Sequence, residues 1–463
     1  MLSGCPAWRR SSRVASFWFD HAWLPTGWAR HVRVETLGST IEAVHHPVAP
    51  TPLDQRYSIA LPGLPNLHSH AFQHAMAGLA ERAGGKADDN FWTWRQLMYG
   101  QVARLAPEQL LAIAAMAQIE MLEAGLTRVG EFHYLHHQSD GTPYDAPAEM
   151  AAALAAAASE TGIGLTLLPV FYAHAGFGGV PPEPAQRRFI TDLDGYARLL
   201  DESGRAIAGL DGAVLGVAPH SLRAVTLQEL SAVANLRPGA PVHIHIAEQT
   251  GEVADCLAWS GQRPIALLMA SLGVDARWCL VHATHAEPPE LQAMARSGAV
   301  AGLCPITEAN LGDGLFPAAE WRSLGGRYGV GSDSNVRIDA CEELRLLEYG
   351  QRLQHRRRNI LCADDSTTGA TLFAESLTGG AQALGVPAAG LAPGAPADWV
   401  VLRADHAGLA GNSLFDRLIF VRGTAAVEGV WRAGRQVVSE GRHVARDAVA
   451  ARYAATMDAL LAG

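Results

Sequence analysis

Two histidines spaced by one residue, His68 and His70, close an apolar run that begins at Leu61. On an extended strand, residues at i and i+2 point to the same side, so both imidazoles can bind one metal ion. The prolines and the glycine within the run disfavour a helix. One His-x-His pair is weak support for a metal site, so the interpretation depends on further ligands downstream.

Further candidate ligands follow three later apolar runs. His243 and His245 precede Glu248, His282 ends the next run, and Asp333 follows the last one. Each set lies at the carboxyl end of a predicted strand, which is where barrel enzymes carry their active sites. For any one of the 19 histidines, a structural role in the core is an equally good explanation. Together, the runs predict one cavity with several histidines and an aspartate available for one ion.

Alternating strand and helix patterns position these residues. Between residues 61 and 384, apolar runs alternate with longer segments rich in alanine and leucine. Eight runs are strand candidates: residues 61–67, 127–132, 164–172, 213–218, 241–247, 278–282, 299–304 and 327–331. Eight such strands with intervening helices predict an α/β fold, a (β/α)8 TIM-type barrel.

Short β segments flank this barrel in the sequence. Strand candidates separated by turns rich in glycine and proline lie at residues 29–34, 40–44, 398–402, 418–421 and 425–438. We expect residues 17–60 and 385–443 to form a small discontinuous β-sandwich domain built from both termini. A C-terminal helix is predicted over residues 444–463, and residues 1–16 are expected to be a disordered extension.

Composition limits the classes of function. The chain has 463 residues, a formal net charge of −10 and one lysine, Lys86, among 36 basic residues. Lys86 lies in a glycine-rich loop, so Schiff-base chemistry and a carboxylated lysine bridging two metals are excluded. The one basic run, residues 356–358, is short, and we therefore expect no nucleic-acid partner.

Cysteine usage and hydropathy indicate a reduced, cytoplasmic protein. Six cysteines are scattered without a Cys-x-x-Cys pair, which disfavours a thiolate metal site. The longest apolar run, residues 150–158, is shorter than the roughly 20 residues that span a bilayer, so no membrane partner is expected. Residues 2–5 and 9–10 resemble export signals but lack the apolar segment that export requires. A homodimer is the default oligomeric state.

The candidate residues resemble the amidohydrolase superfamily, in particular its mononuclear deaminase branch. The resemblance rests on His68-Ser69-His70, His245 with Glu248 three residues later, His282, and Asp333 within Gly-Ser-Asp-Ser. It implies one divalent ion per chain, zinc, bound by His68, His70, His245 and Asp333. It also implies three catalytic residues: Glu248, His282 and Asp333. The His-x-x-Glu spacing favours His245 over His243 as the ligand.

Longer motifs resemble one enzyme family of that branch, the formimidoylglutamate deiminases, over nearly the whole chain from Phe17. The motifs are residues 66–73, 91–95, 130–137, 218–223 and 304–314. The resemblance implies hydrolysis of N-formimino-L-glutamate to N-formyl-L-glutamate and ammonia, a step of histidine degradation. It implies five contacts to this small-molecule substrate: Gln73, Arg95, Tyr134, His220 and Arg223. Nucleobase deaminases of the branch usually carry Ser-Asn where this chain has Thr307-Glu308.

The implied chemistry follows from general principles. An ion held by neutral imidazoles and a carboxylate lowers the pKa of bound water towards about 7. We expect Asp333 to accept the proton of that water, Glu248 to protonate the departing ammonia, and His282 to orient the attacking oxygen. Arg223 and Arg95 suit substrate carboxylates because a guanidinium forms paired hydrogen bonds with them. On spacing alone, a surface position is an equally good explanation for Arg95.

Two alternatives stay open at this point. The first is an aminohydrolase of a heterocycle such as guanine or adenosine, for which we expect an aromatic pocket without paired arginines. The second is a non-catalytic barrel retained as a scaffold, which the complete set of ligands disfavours.

Overall fold

The computed structural model describes residues 14–81, 91–387, 390–403 and 413–462. Lys86, Cys5 and the export-like residues 2–5 and 9–10 lie outside these ranges, so the predictions made for them stay predictions. Five cysteines lie within the described ranges, and all five are free thiols. Among the helices that are described, none is both long and apolar enough to cross a membrane.

The described residues form seventeen strands. They are β1 (Val14–Leu24), β2 (Gly27–Leu37), β3 (Thr40–His45), β4 (Gln55–Pro62), β5 (Leu64–Ser69), β6 (Leu126–His133), β7 (Gly164–Phe171), β8 (Val214–Leu215), β9 (Ala218–Pro219), β10 (Val242–Ile246), β11 (Trp278–His282), β12 (Val300–Leu303), β13 (Arg327–Val330), β14 (Trp399–Leu402), β15 (Val427–Arg432), β16 (Arg435–Ser439) and β17 (Arg442–His443).

Fourteen α-helices lie within the same ranges. They are α1 (Phe91–Val102), α2 (Pro107–Glu123), α3 (Glu149–Thr161), α4 (Leu193–Ile207), α5 (Leu227–Asn235), α6 (Thr250–Ser260), α7 (Pro264–Ser271), α8 (Pro288–Ser297), α9 (Pro305–Leu311), α10 (Ala318–Ser323), α11 (Ala340–His355), α12 (Thr368–Ala383), α13 (Leu414–Arg417) and α14 (Arg446–Ala462). A 3-10 helix, Ala71–Met76, follows β5, and a π-helix, Leu418–Arg422, follows α13.

Strands β5 to β13 form the barrel predicted from the sequence. β5 to β8 pair in parallel, β9 pairs with β7, and β10 to β13 pair in parallel. Three bridges connect these groups into a ring: Val217 pairs with Val242, Ser221 pairs with His245, and Ser69 pairs with Asp333. Every residue of β6, β7, β10, β11 and β12 is buried, as expected for parallel strands covered on both faces.

The first barrel strand begins later than predicted. Leu61 and Pro62 belong to β4, where they pair with β14 of the terminal sheet. A Cβ atom on Gly63 would lie 2.2 Å from Cγ2 of Thr127, so only glycine lets the chain pass this close to β6. The apolar run that seemed to be one strand therefore serves two different sheets.

Strands from both termini form one eight-stranded sheet in the order β17-β16-β15-β14-β4-β1-β2-β3. β14 pairs antiparallel with β4, which joins the C-terminal strands to the N-terminal ones. Phe17 from the N-terminal part and Trp399 and Trp431 from the C-terminal part belong to one apolar core. The predicted β-sandwich is therefore one continuous sheet, and its N-terminal and C-terminal parts pack against each other through this core. The division into a barrel of residues 61–384 and a β domain of residues 17–60 and 385–443 remains our proposal.

Two segments of the terminal region differ from the prediction. Residues 14–16, assigned to a disordered extension, begin β1, because Val14 pairs with Leu37 and the Ser16 hydroxyl donates to Asp54. Residues 418–421, predicted as a strand, lie in the π-helix. Buried residues at 414, 415, 418 and 419 follow helical spacing, and β14 already has strand partners on both sides.

Candidate active site

Four donor atoms converge at the carboxyl ends of β5, β10 and β13. Nε2 of His68 lies 3.2 Å from Nε2 of His70 and 3.0 Å from Nε2 of His245. Oδ1 of Asp333 lies 3.2 Å from Nε2 of His70 and 3.6 Å from Nε2 of His68. Ligands at about 2.0–2.1 Å from a tetrahedral ion are roughly 3.3 Å apart, so these donors fit one ion.

Burial keeps the three histidines in the neutral form that binds a cation. It lowers the pKa of His70 to about 3 and the pKa of both His68 and His245 well below their ordinary value. Nδ1 of His70 lies 2.8 Å from the carbonyl oxygen of Phe132, to which it donates. That bond leaves Nε2 of His70 free to face the other donors.

Asp333 is held in place by hydrogen bonds to β5. The His70 N–H donates to the Asp333 carbonyl, and the Asp333 N–H donates to the His68 carbonyl. Nδ2 of Asn335 donates to the carbonyls of Asp333 and His70 and to the Ser69 hydroxyl, each at 3.1 Å. Asp333 and Asn335 have φ angles of 44° and 55°, a left-handed conformation that Asp and Asn adopt more readily than most residues. The turn after β13 therefore aims the Asp333 side chain at the histidines.

Glu248, His282 and Asp333 face one another beside the donor set. Nε2 of His282 lies 3.8 Å from Oε1 of Glu248 and 3.8 Å from Oδ2 of Asp333. Burial lowers the pKa of His282, but the carboxylates of Glu248, Glu308 and Asp333 together raise it to about 10. Burial raises the pKa of Asp333 to about 7. His282 alone would lower this pKa, whereas the carboxylates of Glu248 and Glu308 raise it further. Both pKa values are thus raised, and strongly shifted pKa values are typical of catalytic acids and bases.

The turn after β10 positions Glu248. Ala247 adopts a left-handed conformation with a φ of 49°. The side chain of Glu252, in the first turn of α6, accepts the N–H groups of Ala247 and Glu248 at 3.2 and 3.1 Å. These bonds fix the passage from strand to helix, so the Glu248 side chain lines the cavity above His245.

The predicted polar contacts to the substrate line the same cavity as the donor set. Nε2 of Gln73 donates to the Tyr134 hydroxyl at 2.9 Å, and the Tyr134 ring lies 5.2 Å from the His70 ring. The His220 ring lies 5.0 Å from the His245 ring. Burial, with Arg223 nearby, lowers the pKa of His220 well below its ordinary value, so it is neutral.

Arg95 and Arg223 also line this cavity. Nη2 of Arg95, in α1, donates to the Tyr172 hydroxyl at 3.1 Å, and the guanidinium lies 5.6 Å from the ring of Trp92. The guanidinium of Arg223 lies 5.9 Å from the same ring. Nε of Arg223 is buried without a hydrogen-bond partner among the described residues. Both arginines also line an adjoining cavity of about 690 Å³. Arg95 therefore faces the cavities, and the alternative that it is a surface charge on its helix does not apply.

The structure brings all the predicted site residues together. Ten of the eleven line one cavity, and the eleventh, His68, is fully buried beside it. Sequence reasoning missed further residues of this site: Phe91, Trp94, Met98 and Leu311 in the wall, and Glu308 behind His282. Four of the five lie within motifs 91–95 and 304–314, which could have indicated them, whereas Met98 lies one turn of α1 beyond the first motif. His243 is not a donor here, because its Nε2 lies 2.7 Å from the Ala383 carbonyl.

Three comparisons with known proteins found similar sequences and similar structures. The family model described as "Amidohydrolase family" matches residues 59–443. The formimidoylglutamate deiminase of Pseudomonas aeruginosa is 53% identical over 454 residues, which cover 97% of this chain and 100% of that protein. A crystal structure of an amidohydrolase from Brucella melitensis is 51% identical, covers 96% of this chain and 100% of its own, and superposes with a TM-score of 0.94. An adenosine deaminase from Xanthomonas campestris, 22% identical over 97% of this chain and 99% of its own, has the same fold with a TM-score of 0.79.

Proposed function

Because this chain belongs to the amidohydrolase family, we propose that it hydrolyses N-formimino-L-glutamate to N-formyl-L-glutamate and ammonia. The relative from Pseudomonas aeruginosa is named for this activity and is matched over its full length. One observation carries the proposal: a single cavity is lined by metal-type donors, a Glu-His-Asp group and two arginines. A small substrate with one imino carbon and two carboxylates can therefore find a partner for each group.

The proposed cofactor is one zinc ion per chain, bound by His68, His70, His245 and Asp333. The three histidines form a group of donor atoms within 4.8 Å of one another, and Asp333 adds an oxygen to it. Nitrogen and carboxylate donors at this spacing are typical of catalytic zinc. When bound, the ion supplies a water molecule of lowered pKa as the nucleophile.

Three side chains carry the proton transfers in this mechanism. Asp333, whose Oδ2 lies 3.8 Å from Nε2 of His282, accepts the proton of the attacking water. Glu248 transfers the protons released by this water to the imino nitrogen; the C–N bond then breaks, ammonia leaves and the formyl group remains. His282 donates from Nε2 to the oxygen on which negative charge develops.

Arg223 and Arg95 are proposed to bind the two carboxylates of the substrate. Desolvating a carboxylate is costly unless a fixed cationic donor replaces its water. Gln73, Tyr134 and His220 line the same cavity as the arginines and the donor set and can hydrogen-bond the rest of the substrate. Neither guanine nor adenosine has a carboxylate for the paired arginines, which disfavours the heterocycle alternative.

An ammonia-release assay tests the function. Purified protein is incubated with N-formimino-L-glutamate, guanine or adenosine, and the organic product is identified by mass. We expect ammonia and N-formyl-L-glutamate from the first compound and no ammonia from the purines. Ammonia from a purine, with none from N-formimino-L-glutamate, would show that the heterocycle alternative is right.

We place this activity in histidine degradation, in the cytoplasm, and in a homodimer. The assignment to histidine degradation follows from the proposed substrate, and the cytoplasmic location follows from the scattered cysteines. The homodimer is proposed because two-fold symmetry is the commonest among soluble oligomers. Light scattering on the purified protein measures the oligomeric state directly.

A further inference from the structure

Glu308 is a buried carboxylate that none of these steps uses. It lies in the first turn of α9, directly after β12, and is 5% exposed. Its Oε1 accepts the backbone N–H of Cys304 at 2.9 Å and lies 3.2 Å from Nδ1 of His282. Glu308 thus contacts the side of the His282 ring that faces away from Glu248.

This contact decides which nitrogen of His282 faces the cavity. Oε1 of Glu308 already acts as an acceptor for the Cys304 N–H, so in the contact with His282 it is Nδ1 that carries the hydrogen and donates it. Nε2 is then the nitrogen that lies 3.8 Å from both Glu248 and Asp333. The backbone of His282 is left-handed, with a φ of 67°. The orientation of a histidine ring is fixed by the hydrogen-bond partner of its second nitrogen, which here is Glu308.

The turn that carries Glu308 is itself fixed. The Glu308 N–H donates to the Cys304 carbonyl at 2.8 Å. The hydroxyl of the preceding residue, Thr307, lies 2.9 Å from that of Ser334, next to the aspartate of the donor set. Thr307-Glu308 therefore connects α9 to the ends of both β11 and β13.

An alternative role for Glu308 is to bind a second metal ion. His282, Cys304 and Glu308 offer three potential ligand atoms within 4.8 Å of one another. Burial raises the pKa of the Cys304 thiol well above its ordinary value, which disfavours the thiolate that a metal needs. The hydrogen-bonding role is therefore the better explanation.

We propose that Glu308 is a positioning residue that holds the His282 ring with Nδ1 protonated and Nε2 directed at the reacting atoms. The proposal rests on the proposed function only for the choice of substrate, because the ring is oriented in the same way for any substrate. Glu308 touches no substrate atom in this role. It acts through His282 alone.

The test is a double-mutant cycle between Glu308 and His282. Glu308→Leu removes the acceptor, and we expect kcat to fall by about 10–100-fold with KM changed less than about threefold. Glu308→Gln keeps an oxygen that can accept from Nδ1, so it should retain most of kcat. In a His282→Asn background, Glu308→Leu should change the remaining rate by less than about twofold, because no ring is left to orient.

Glu343 provides the matched control. It is a buried carboxylate whose Oε2 accepts the N–H of Ile306, in the same turn of α9, at 2.9 Å, and no hydrogen bond joins it to His282 among the described residues. Glu343→Gln should lower the thermal midpoint. If Glu343→Gln also lowers kcat, the fold-decrease should be the same in the wild-type and His282→Asn backgrounds.

A spectroscopic measurement that does not depend on turnover distinguishes a failure of the proposed function from a failure of the role proposed for Glu308. Nitrogen-15 spectra of labelled histidines, with the His282 signals identified by their loss in His282→Asn, should show Nδ1 protonated in the wild type and a changed pattern in Glu308→Leu. Equal costs of Glu308→Leu in both backgrounds, or a second metal equivalent that Glu308→Leu removes, would overturn the proposal. If the wild type releases no ammonia from N-formimino-L-glutamate, the proposed function fails, and the spectra still decide the role of Glu308.

Discussion

At the residue scale, the cavity combines buried carboxylates with guanidinium groups. Glu248 and Asp333 lie near His282, whereas Arg95 and Arg223 share contact with the ring of Trp92. A charge taken out of water is costly unless it is paired, so each charged group of a substrate must meet a fixed partner. Proton transfer and substrate binding thus belong to different residues and can be separated by mutation.

Glu248→Gln tests proton transfer. The amide keeps the size of the side chain but cannot give a proton to the leaving nitrogen, so kcat should fall about 100-fold or more. Metal content should stay at the wild-type value, because Glu248 is not part of the donor set. Ammonia release gives kcat and elemental analysis gives the metal. A near-normal kcat would show that another group carries the proton.

Arg223→Met tests carboxylate binding. Removing one partner of a buried charge pair costs about 2–5 kcal/mol, so kcat/KM for N-formimino-L-glutamate should fall by roughly 30-fold to several thousand-fold. A formimino compound without carboxylates is the control and should lose little. Steady-state kinetics on both compounds measures the difference. If both lose activity equally, Arg223 is structural and Arg95 becomes the next candidate.

At the element scale, β13 packs directly on β5, and this contact sets the distance between Asp333 and the histidines. A Cβ atom on Gly331 would lie 2.8 Å from both the backbone N and O of His68 and 2.9 Å from its Cβ. Backbone atoms in a barrel cannot move aside as the end of a flexible side chain can. The strand that brings Asp333 to the donor set therefore needs glycine at this place.

Gly331→Ala should separate β13 from β5 and weaken metal binding by about tenfold or more. Competition with a chelator of known affinity measures the change. Gly273→Ala is the control, because its added Cβ would meet no atom within 4 Å, and it should leave affinity unchanged. Wild-type affinity in Gly331→Ala would mean that the strands adjust without moving Asp333.

Asp54 ties together the first strands of the terminal sheet. Oδ1 accepts from the Ser16 hydroxyl and Nε of Arg33, while Oδ2 accepts from Nη2 of Arg33 and the Thr51 N–H. Burial raises the pKa of Asp54, but the hydrogen bonds from Arg33, Ser16 and Thr51 lower it well below its usual range. A carboxyl with a lowered folded-state pKa stabilises the fold only while it is ionised.

The sign of the pH dependence follows from that shift. The contribution of Asp54 is fully present above the unfolded-state pKa of about 3.9 and is lost as the pH falls from there through the folded-state pKa. Asp54→Asn should therefore lower the thermal midpoint by a few degrees at pH 7 and by less at pH 3. Melting curves of metal-free protein at both pH values measure this. An equal difference at both would contradict the assignment.

At the scale of the whole molecule, the donor set connects both halves of the barrel. Its residues come from β5, β10 and β13, which belong to two groups of parallel strands joined through the Val217–Val242 and Ser69–Asp333 bridges. An ion that binds only the folded chain stabilises it by mass action, by about 4 kcal/mol at 1,000 times its Kd. The fold and the site are thus expected to be coupled.

Metal removal tests this coupling. Chelation should lower the thermal midpoint of unfolding, one equivalent of zinc per chain should restore it, and a second should add nothing. His245→Ala, which lacks one donor, should respond much less to either treatment. Calorimetry combined with elemental analysis measures both quantities. Two tightly held equivalents, or wild-type occupancy in His245→Ala, would contradict a single site of this composition.

Patterns within the sequence predicted the barrel and most of the site. Carboxyl ends of parallel barrel strands open on one face, so His68, His245, His282 and Asp333, each at the end of an apolar run, had to meet there. Their local spacings, His-x-His and His-x-x-Glu, needed no tertiary information because they act within one strand and its turn.

Other features became visible in the folded chain alone, because packing and strand register leave no local pattern in the sequence. It placed His243 against the Ala383 carbonyl and away from the donor set, and it divided the first apolar run at Gly63 between two sheets. It made residues 418–421 helical where no strand edge was available beside β14. It also brought Glu308 to His282, because a hydrogen bond between the ends of two neighbouring strands depends on how those strands pair.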